Sequence, residues 1–184
     1  YPLSTPKWQF LNYLADTKDV VMHGTGDSTI SEFQPRQSDD TNEFGNQRAV
    51  FAASDGIWAT YFAIVDRPRL VWSLVNSCFR VITADGISNP YYYFSINRDA
   101  LLHQPWRVGT IYVLPRKSFE RESSQTGRES QQWRSLSPVK PIARITVDPN
   151  EFPFLGQIRG HDPERSMADP DGFPWLDDST SATN

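Results

Sequence analysis

The chain has 184 residues, 38% of them apolar and 13% aromatic, which is enough for one core of ordinary domain size and too apolar for a disordered segment. Its net charge of −4 is unevenly spread: from Asp162 onward there are six acidic residues and one basic, a net −5, so the rest carries +1. That balance excludes a broad basic footprint for nucleic acid, and no run approaches the roughly 18 apolar residues of a membrane-spanning helix.

Cys78 is the only cysteine, so an intrachain disulfide is excluded. A lone cysteine and the absence of a signal-peptide pattern favour a reducing, cytoplasmic setting. The opening "YPLSTPKW" has no initiator Met and reads as the start of an excised domain.

In chain order, "STPKWQFLNYLADTKD" reads as a first helix. Thr5 is its expected cap, Pro6 suits its first turn, and Trp8, Leu11 and Leu14 share a face. "VVMHG" reads as a buried strand running into a turn. "DSTISEF" is a short helix or turn, and the polar "QPRQSDDTNEFGNQR" is a loop. "AVFAA" is a short strand. "SDGIWATYFAIVD" is a second helix, capped by Ser54 or Asp55, with Ile57, Tyr61, Ile64 and Val65 at helical spacing. It should stop before Pro68.

The middle of the chain is strand-rich. "LVWSLVNSCFRVITADG" holds one or two strands or a short helix. "NPYYYFSI" alternates and is aromatic, so it reads as a strand, as does "GTIYVLP". "RKSFERESSQTGRESQQ" reads as an exposed loop, and "WRSLSPVKPIARITVDP" as two strand pieces split by prolines. The predicted class is α+β rather than alternating β-α-β. One domain is expected over residues 1–160, followed by an acidic Pro/Asp-rich tail over 161–184 whose Phe173, Pro174 and Trp175 can dock back onto the domain.

His23 alone is weak evidence, because a histidine at a strand end is commonly a satisfied structural residue. Gly24 and Thr25 beside it change the weighting. A glycine admits close approach to backbone N–H and C=O groups, and a threonine hydroxyl donates and accepts. Together they make a small site for a planar amide. Further on, "GNQRAVFAASDGIWATYFAI" is a glycine-led strand ending in Phe51-Ala52, with Tyr61 ten residues after Phe51.

In these two stretches the chain resembles the poly(ADP-ribose) polymerases and diphtheria-type toxins, the His-Tyr-Glu class of the ADP-ribosyltransferase superfamily. His23-Gly24-Thr25 matches the family's His-Gly-Ser/Thr motif. Tyr61 matches its helix tyrosine, and Arg36, closing "ISEFQPR", falls where the family has a nucleotide-reaching arginine. The resemblance covers roughly residues 20 to 155. It implies the ADP-ribosyltransferase-like fold: two facing, mostly antiparallel sheets flanked by a few short helices.

The chain departs from the family at two positions. Gln132, before Trp133, stands where the family has its catalytic Glu, with Glu129 as a rival for that place. Val50 stands where the family commonly has Tyr, so one aromatic wall of a nicotinamide site is lost while Tyr61 remains to stack. Phe51 is read as core or pocket wall.

The resemblance implies NAD as co-substrate, with no metal. His23 would bind the adenosine-side ribose hydroxyl, Gly24 and Thr25 the nicotinamide carboxamide, Tyr61 the ring, and Arg36 the adenosine or pyrophosphate. Val50 and Phe51 would line the site. Cleavage of the nicotinamide–ribose bond passes through an oxocarbenium-like state, so orientation and charge stabilisation are the protein's main tasks. A Gln is not a base, and loss of general-base help costs about 10²–10⁴-fold.

The expectation is therefore a mono-ADP-ribosyltransferase, with catalytic residues His23, Tyr61 and Gln132. It would be a monomeric, toxin-like domain that takes a protein or nucleic-acid acceptor and has no membrane partner. Alternatives are an NAD glycohydrolase and a silent NAD- or ADP-ribose-binding module. An RNA 2′-phosphotransferase ranks below these, because such sites are rich in Arg and His.

Other groups carry less. His103 and His161 match no zinc spacing with His23. Asp39-Asp40 reads as solvated loop, Tyr91-Tyr92-Tyr93 as alternating strand burial, and Cys78 as a buried inert thiol.

Overall fold

The structure, a computed structural model, describes residues 5–38, 40, 43–67, 71–123 and 127–162, and the backbone of 176–177. Its first half runs α1 (Lys7–Thr17), β1 (Val20–Thr25), β2 (Arg36–Gln37), β3 (Arg48–Ala53), α2 (Gly56–Ile64), β4 (Leu74–Thr83), β5 (Gly86–Ile87), β6 (Tyr91–Asn97) and α3 (Arg98–Leu102). Then follow β7 (Gly109–Pro115), β8 (Glu120–Arg121), β9 (Arg128–Ser130), β10 (Gln132–Ser135), β11 (Ala143–Val147), β12 (Arg159–His161) and β13 (Leu176–Asp177).

Among the described residues these strands form two sheets. The first has the order β11-β7-β1-β3-β10-β8, with β2 also on β3. The second has the order β12-β6-β4-β5, with β13 on β6 and β9 on β4. Among the described residues the one parallel pair is β12 with β6. The class is α+β, with two mostly antiparallel sheets and few helices.

The helix α2 binds the sheets together. Asp55 caps it, its carboxylate accepting from the Trp58 amide at 2.7 Å, which satisfies one of the helix's unpaired N–H groups. The other carboxylate oxygen accepts from the Tyr92 hydroxyl at 2.7 Å, tying the cap to the second sheet. Burial pushes the Asp55 carboxyl above its ordinary value, and these hydrogen bonds oppose it.

Eight of the nine α2 residues are buried, as befits a helix apolar on all sides. One core cluster joins α2 to Met22, Ala53 and Ile111 of the first sheet and to Cys78, Tyr92, Phe94 and Ile96 of the second. Each large side chain fully buried there contributes about 1.5–3 kcal/mol.

Two glycines let α2 lie directly on the first sheet. A Cβ at Gly24 would collide with the Ala59 carbonyl oxygen and come within 2.7 Å of the Ala63 nitrogen. A Cβ at Gly109 would collide with the Ala63 carbonyl and come within 2.8 Å of its methyl. No side chain fits between strand and helix at either place.

Several expected features differ. The position before α1 is Pro6, with no side-chain cap, so Thr5 does not cap the helix. "DSTISEF" is not a helix: it turns at Asp27–Thr29, and Phe33 then bridges to Val139. The polar stretch read as an exposed loop carries β8 and β9, held together where Arg121 Nε donates to the Ser130 carbonyl at 2.8 Å. α3 lies between segments read as strands.

The expected boundary at residue 160 cuts β12, and His161 is only 5% exposed. Leu176 and Asp177 pair with Tyr92 and Tyr91, while Phe173, Pro174 and Trp175 lie outside the described residues, as does Asp39. No helix among the described residues is long and apolar enough to cross a membrane.

Gly24→Ala and Gly109→Ala are each expected to cost about 1–3 kcal/mol, the usual range for forcing a group into a packed site. Urea denaturation measures it, and a shift of less than a few tenths would mean that α2 is free to move away.

Candidate functional site

The site is built where β1 and β3 part. Across β1 and β7 the residues match from Val20–Pro115 to Thr25–Thr110. The Arg116 amide donates to the Asp19 carbonyl at 3.0 Å. The pairs in step with it exchange main-chain hydrogen bonds, and the alternate residues point the other way. Met22 and Gly24 therefore direct their N–H and C=O toward β3. Met22 meets Ala53, and there the β1–β3 ladder ends. Among the described residues Gly24 has no strand partner on that side, and its N–H and C=O face the gap as an adjacent donor and acceptor.

His23 borders this gap. Its Nδ1 lies 2.6 Å from the Phe51 carbonyl, the group that would meet Gly24 if the ladder continued. A carbonyl only accepts, so Nδ1 carries the proton. Burial lowers the His23 pKa, the Phe51 hydrogen bond opposes this, and the nearby Arg36 charge lowers it further. The ring is thus neutral at pH 7, with Nε2 a lone-pair acceptor. Phe33 packs on it with ring centroids 4.7 Å apart.

Thr25 continues the strand, and its Oγ1 accepts from the Asp27 amide at 3.2 Å. Asp27 in turn accepts from the amide and hydroxyl of Thr29, at 2.8 and 2.6 Å. This turn sets the exit from β1. Arg36 is exposed on β2, opposite Ala49.

Val50 and Phe51 are adjacent on β3 and face opposite ways. Val50 is 3% exposed and packs with Val21, Phe33 and Val139. Phe51 is half-buried. The structure thus gathers His23, Gly24, Thr25, Val50 and Phe51 at the parting of β1 and β3, with the Arg36 charge acting on His23.

Tyr61 is elsewhere. Its ring is completely enclosed, with Phe94, Phe62 and Phe152 centroids 4.5, 5.7 and 5.9 Å away. Its hydroxyl donates to the Ser95 carbonyl at 3.4 Å. Burial pushes the phenol far above its usual value. The ring presents no open face for stacking and instead anchors α2 to the second sheet.

Gln132 lies opposite Ala53 on β10, so it shares a sheet face with Ala53 and Met22, not with His23. It is two strands from β1, about 10 Å at ordinary strand spacing. Glu129 is ion-paired with Arg121.

Three residues that sequence reasoning did not single out belong to this region. Gln131, 4% exposed, is where the chain passes from the second sheet to the first. Its Oε1 accepts from the Ser54 hydroxyl at 2.8 Å, and its carbonyl from the Ser54 amide at 3.0 Å. In register with Ser54, it falls on the same sheet face as His23. Phe33 is the lone aromatic of "STISEFQ", and that isolation was its only signal. Arg107 lies with its guanidinium where a Gly26 Cβ would be, 3.4 Å from Asp66 Oδ1. No spacing in the sequence marks it.

Among the described residues no group of three or more His, Cys, Asp or Glu side chains is placed to hold a metal ion. The chain matches no protein-family model, no curated protein and no solved structure.

Because the folded state holds His23 neutral, its contribution to stability is complete above the unfolded pKa of about 6.5 and falls away on acidification below it. Nitrogen-15 NMR is expected to give a pKa under 6.5 for His23 and a protonated Nδ1. A protonated Nε2 at pH 7 would contradict the hydrogen-bond assignment.

Proposed function

We propose that this chain is an NAD-dependent mono-ADP-ribosyltransferase with the two-sheet ADP-ribosyltransferase fold, releasing nicotinamide as it transfers ADP-ribose to a protein or nucleic-acid acceptor. The observation that carries the reading is the gap at Gly24. A main-chain N–H and C=O without a strand partner among the described residues match a primary carboxamide, which has an oxygen acceptor and an NH₂ donor. Beside them, a neutral His23 offers Nε2 to a ribose hydroxyl.

In this reading Thr25 assists at the carboxamide, Arg36 serves the phosphates, Phe51 walls the site, and Val50 backs it from the core rather than lining it. Tyr61 supports the site through α2 rather than by stacking on the ring. Nicotinamide is a good leaving group, so holding the dinucleotide and stabilising the ribosyl charge are the chain's tasks. Gln132 is neutral and on the other sheet face, so the acceptor must bring its own nucleophilicity. That favours single transfer over polymer growth.

A second reading, a module that binds NAD or ADP-ribose without turnover, is favoured by one observation: Glu129, the rival for the catalytic carboxylate, is engaged by Arg121.

Calorimetry with NAD, alongside assay of nicotinamide release and of labelled ADP-ribose on protein and nucleic-acid acceptors, tests the proposal. Binding with transfer is expected, and His23→Ala should weaken binding about tenfold, the value of one good hydrogen bond. Nicotinamide release without transfer points to a glycohydrolase, and binding without release to the silent module. No binding would end the NAD reading.

A further inference from the structure

His161 lies far in sequence from the β1–β3 gap, with a serine on each ring nitrogen. Its Nδ1 is 2.7 Å from Ser95 Oγ, and its Nε2 is 2.8 Å from Ser73 Oγ. Proton counting fixes the direction of this chain. Ser95 Oγ donates its one hydrogen to the Arg159 carbonyl at 3.1 Å, so toward His161 it can only accept. Nδ1 therefore carries the ring proton.

Burial lowers the His161 pKa, with the Asp162 charge opposing, so the ring is neutral. Its Nε2 is then a bare lone pair, and the Ser73 hydroxyl donates to it. This is the arrangement of an activated nucleophile: a hydroxyl on a base, and the base oriented by a third group.

The surroundings fit that assignment. His161 is 5% exposed and Ser95 fully buried, so the base and its orienting partner are held dry between β4, β6 and β12. Ser73 is only half-buried. It sits just before β4, where the amides of Trp72 and Ser73 donate to Asn97 Oδ1 at 3.3 and 3.4 Å, which fixes the backbone. Trp72 is 72% exposed, so apolar surface lies beside the hydroxyl.

We propose that Ser73 is a base-activated nucleophile, with His161 as its base and Ser95 as the positioning residue, and that the site takes acyl or phosphonyl electrophiles. With an ester, Ser73 Oγ bonds to the acyl carbon while its proton passes to His161 Nε2. The acyl–oxygen bond then breaks, and the leaving alcohol takes that proton. With a fluorophosphonate the new bond is Oγ–P, the P–F bond breaks, and fluoride leaves as the proton is given up to water.

The test is reaction of the intact chain with a fluorophosphonate, followed by peptide mapping. Labelling is expected at Ser73, abolished in Ser73→Ala and slowed about 100-fold in His161→Gln, the usual contribution of a general base. Ser95→Ala is expected to slow labelling and to shift the His161 tautomer away from Nδ1–H by nitrogen-15 NMR, which loss of packing alone would not do.

If His161→Gln does not fold, wild-type mapping and tautomer measurement still decide. A wild-type chain with Ser73 unmodified, or no more reactive than its other serines, overturns the proposal. So does wild-type labelling rate in a folded His161→Gln.

Discussion

The contact on which the rest of the molecule depends is the seating of α2 on β1 and β7. It requires the bare backbone of Gly24 and Gly109, and it brings the Tyr61 ring against the second sheet, so one helix carries the core common to both. The same seating defines the candidate site. With its Cα against α2, Gly24 directs its N–H and C=O in the plane of the sheet. There the strand beside it has already turned away. A glycine demanded by packing thus ends with polar groups on an open edge.

Beside that edge the electrostatics favour binding over proton transfer. His23 is kept neutral by burial and by the Arg36 charge, which suits it to accept a hydrogen bond. The two residues read as rivals for the third catalytic position are directed otherwise: Gln132 lies on the face of Ala53, and Glu129, on β9 of the second sheet, is held by Arg121. Any chemistry at the gap would therefore lean on a good leaving group and a competent acceptor. The better-built proton relay lies at His161, between Ser73 and Ser95.

Much of this was legible in the sequence, for identifiable reasons. The Asp55 cap and the apolar spacing after it announced α2, and the run Val20–Met22 announced β1. The polar strands β8 and β9 were not legible, because they are held by arginine and serine side chains rather than by an alternating apolar face. His23, Gly24 and Thr25 were identified as a group, yet the parting of β1 from β3 depends on pairing that no local pattern encodes.

Tyr61 was visible by spacing, but spacing cannot tell a ring that lines a cleft from one enclosed by Phe94 and Phe152. Gln132 was chosen over Glu129 because it directly precedes a strand, but nothing in the sequence gives its register, and a one-residue step changes the sheet face. The Ser73–His161–Ser95 relay joins residues from three separate strand regions and has no sequence signature.

The most direct measurement is an amide-resolved NMR titration with nicotinamide. The account predicts the largest shift at the Gly24 amide, with smaller shifts at Thr25 and Phe51 and little change at Gln132. Shifts absent from Gly24, or centred on residues away from the parting of β1 and β3, would contradict it.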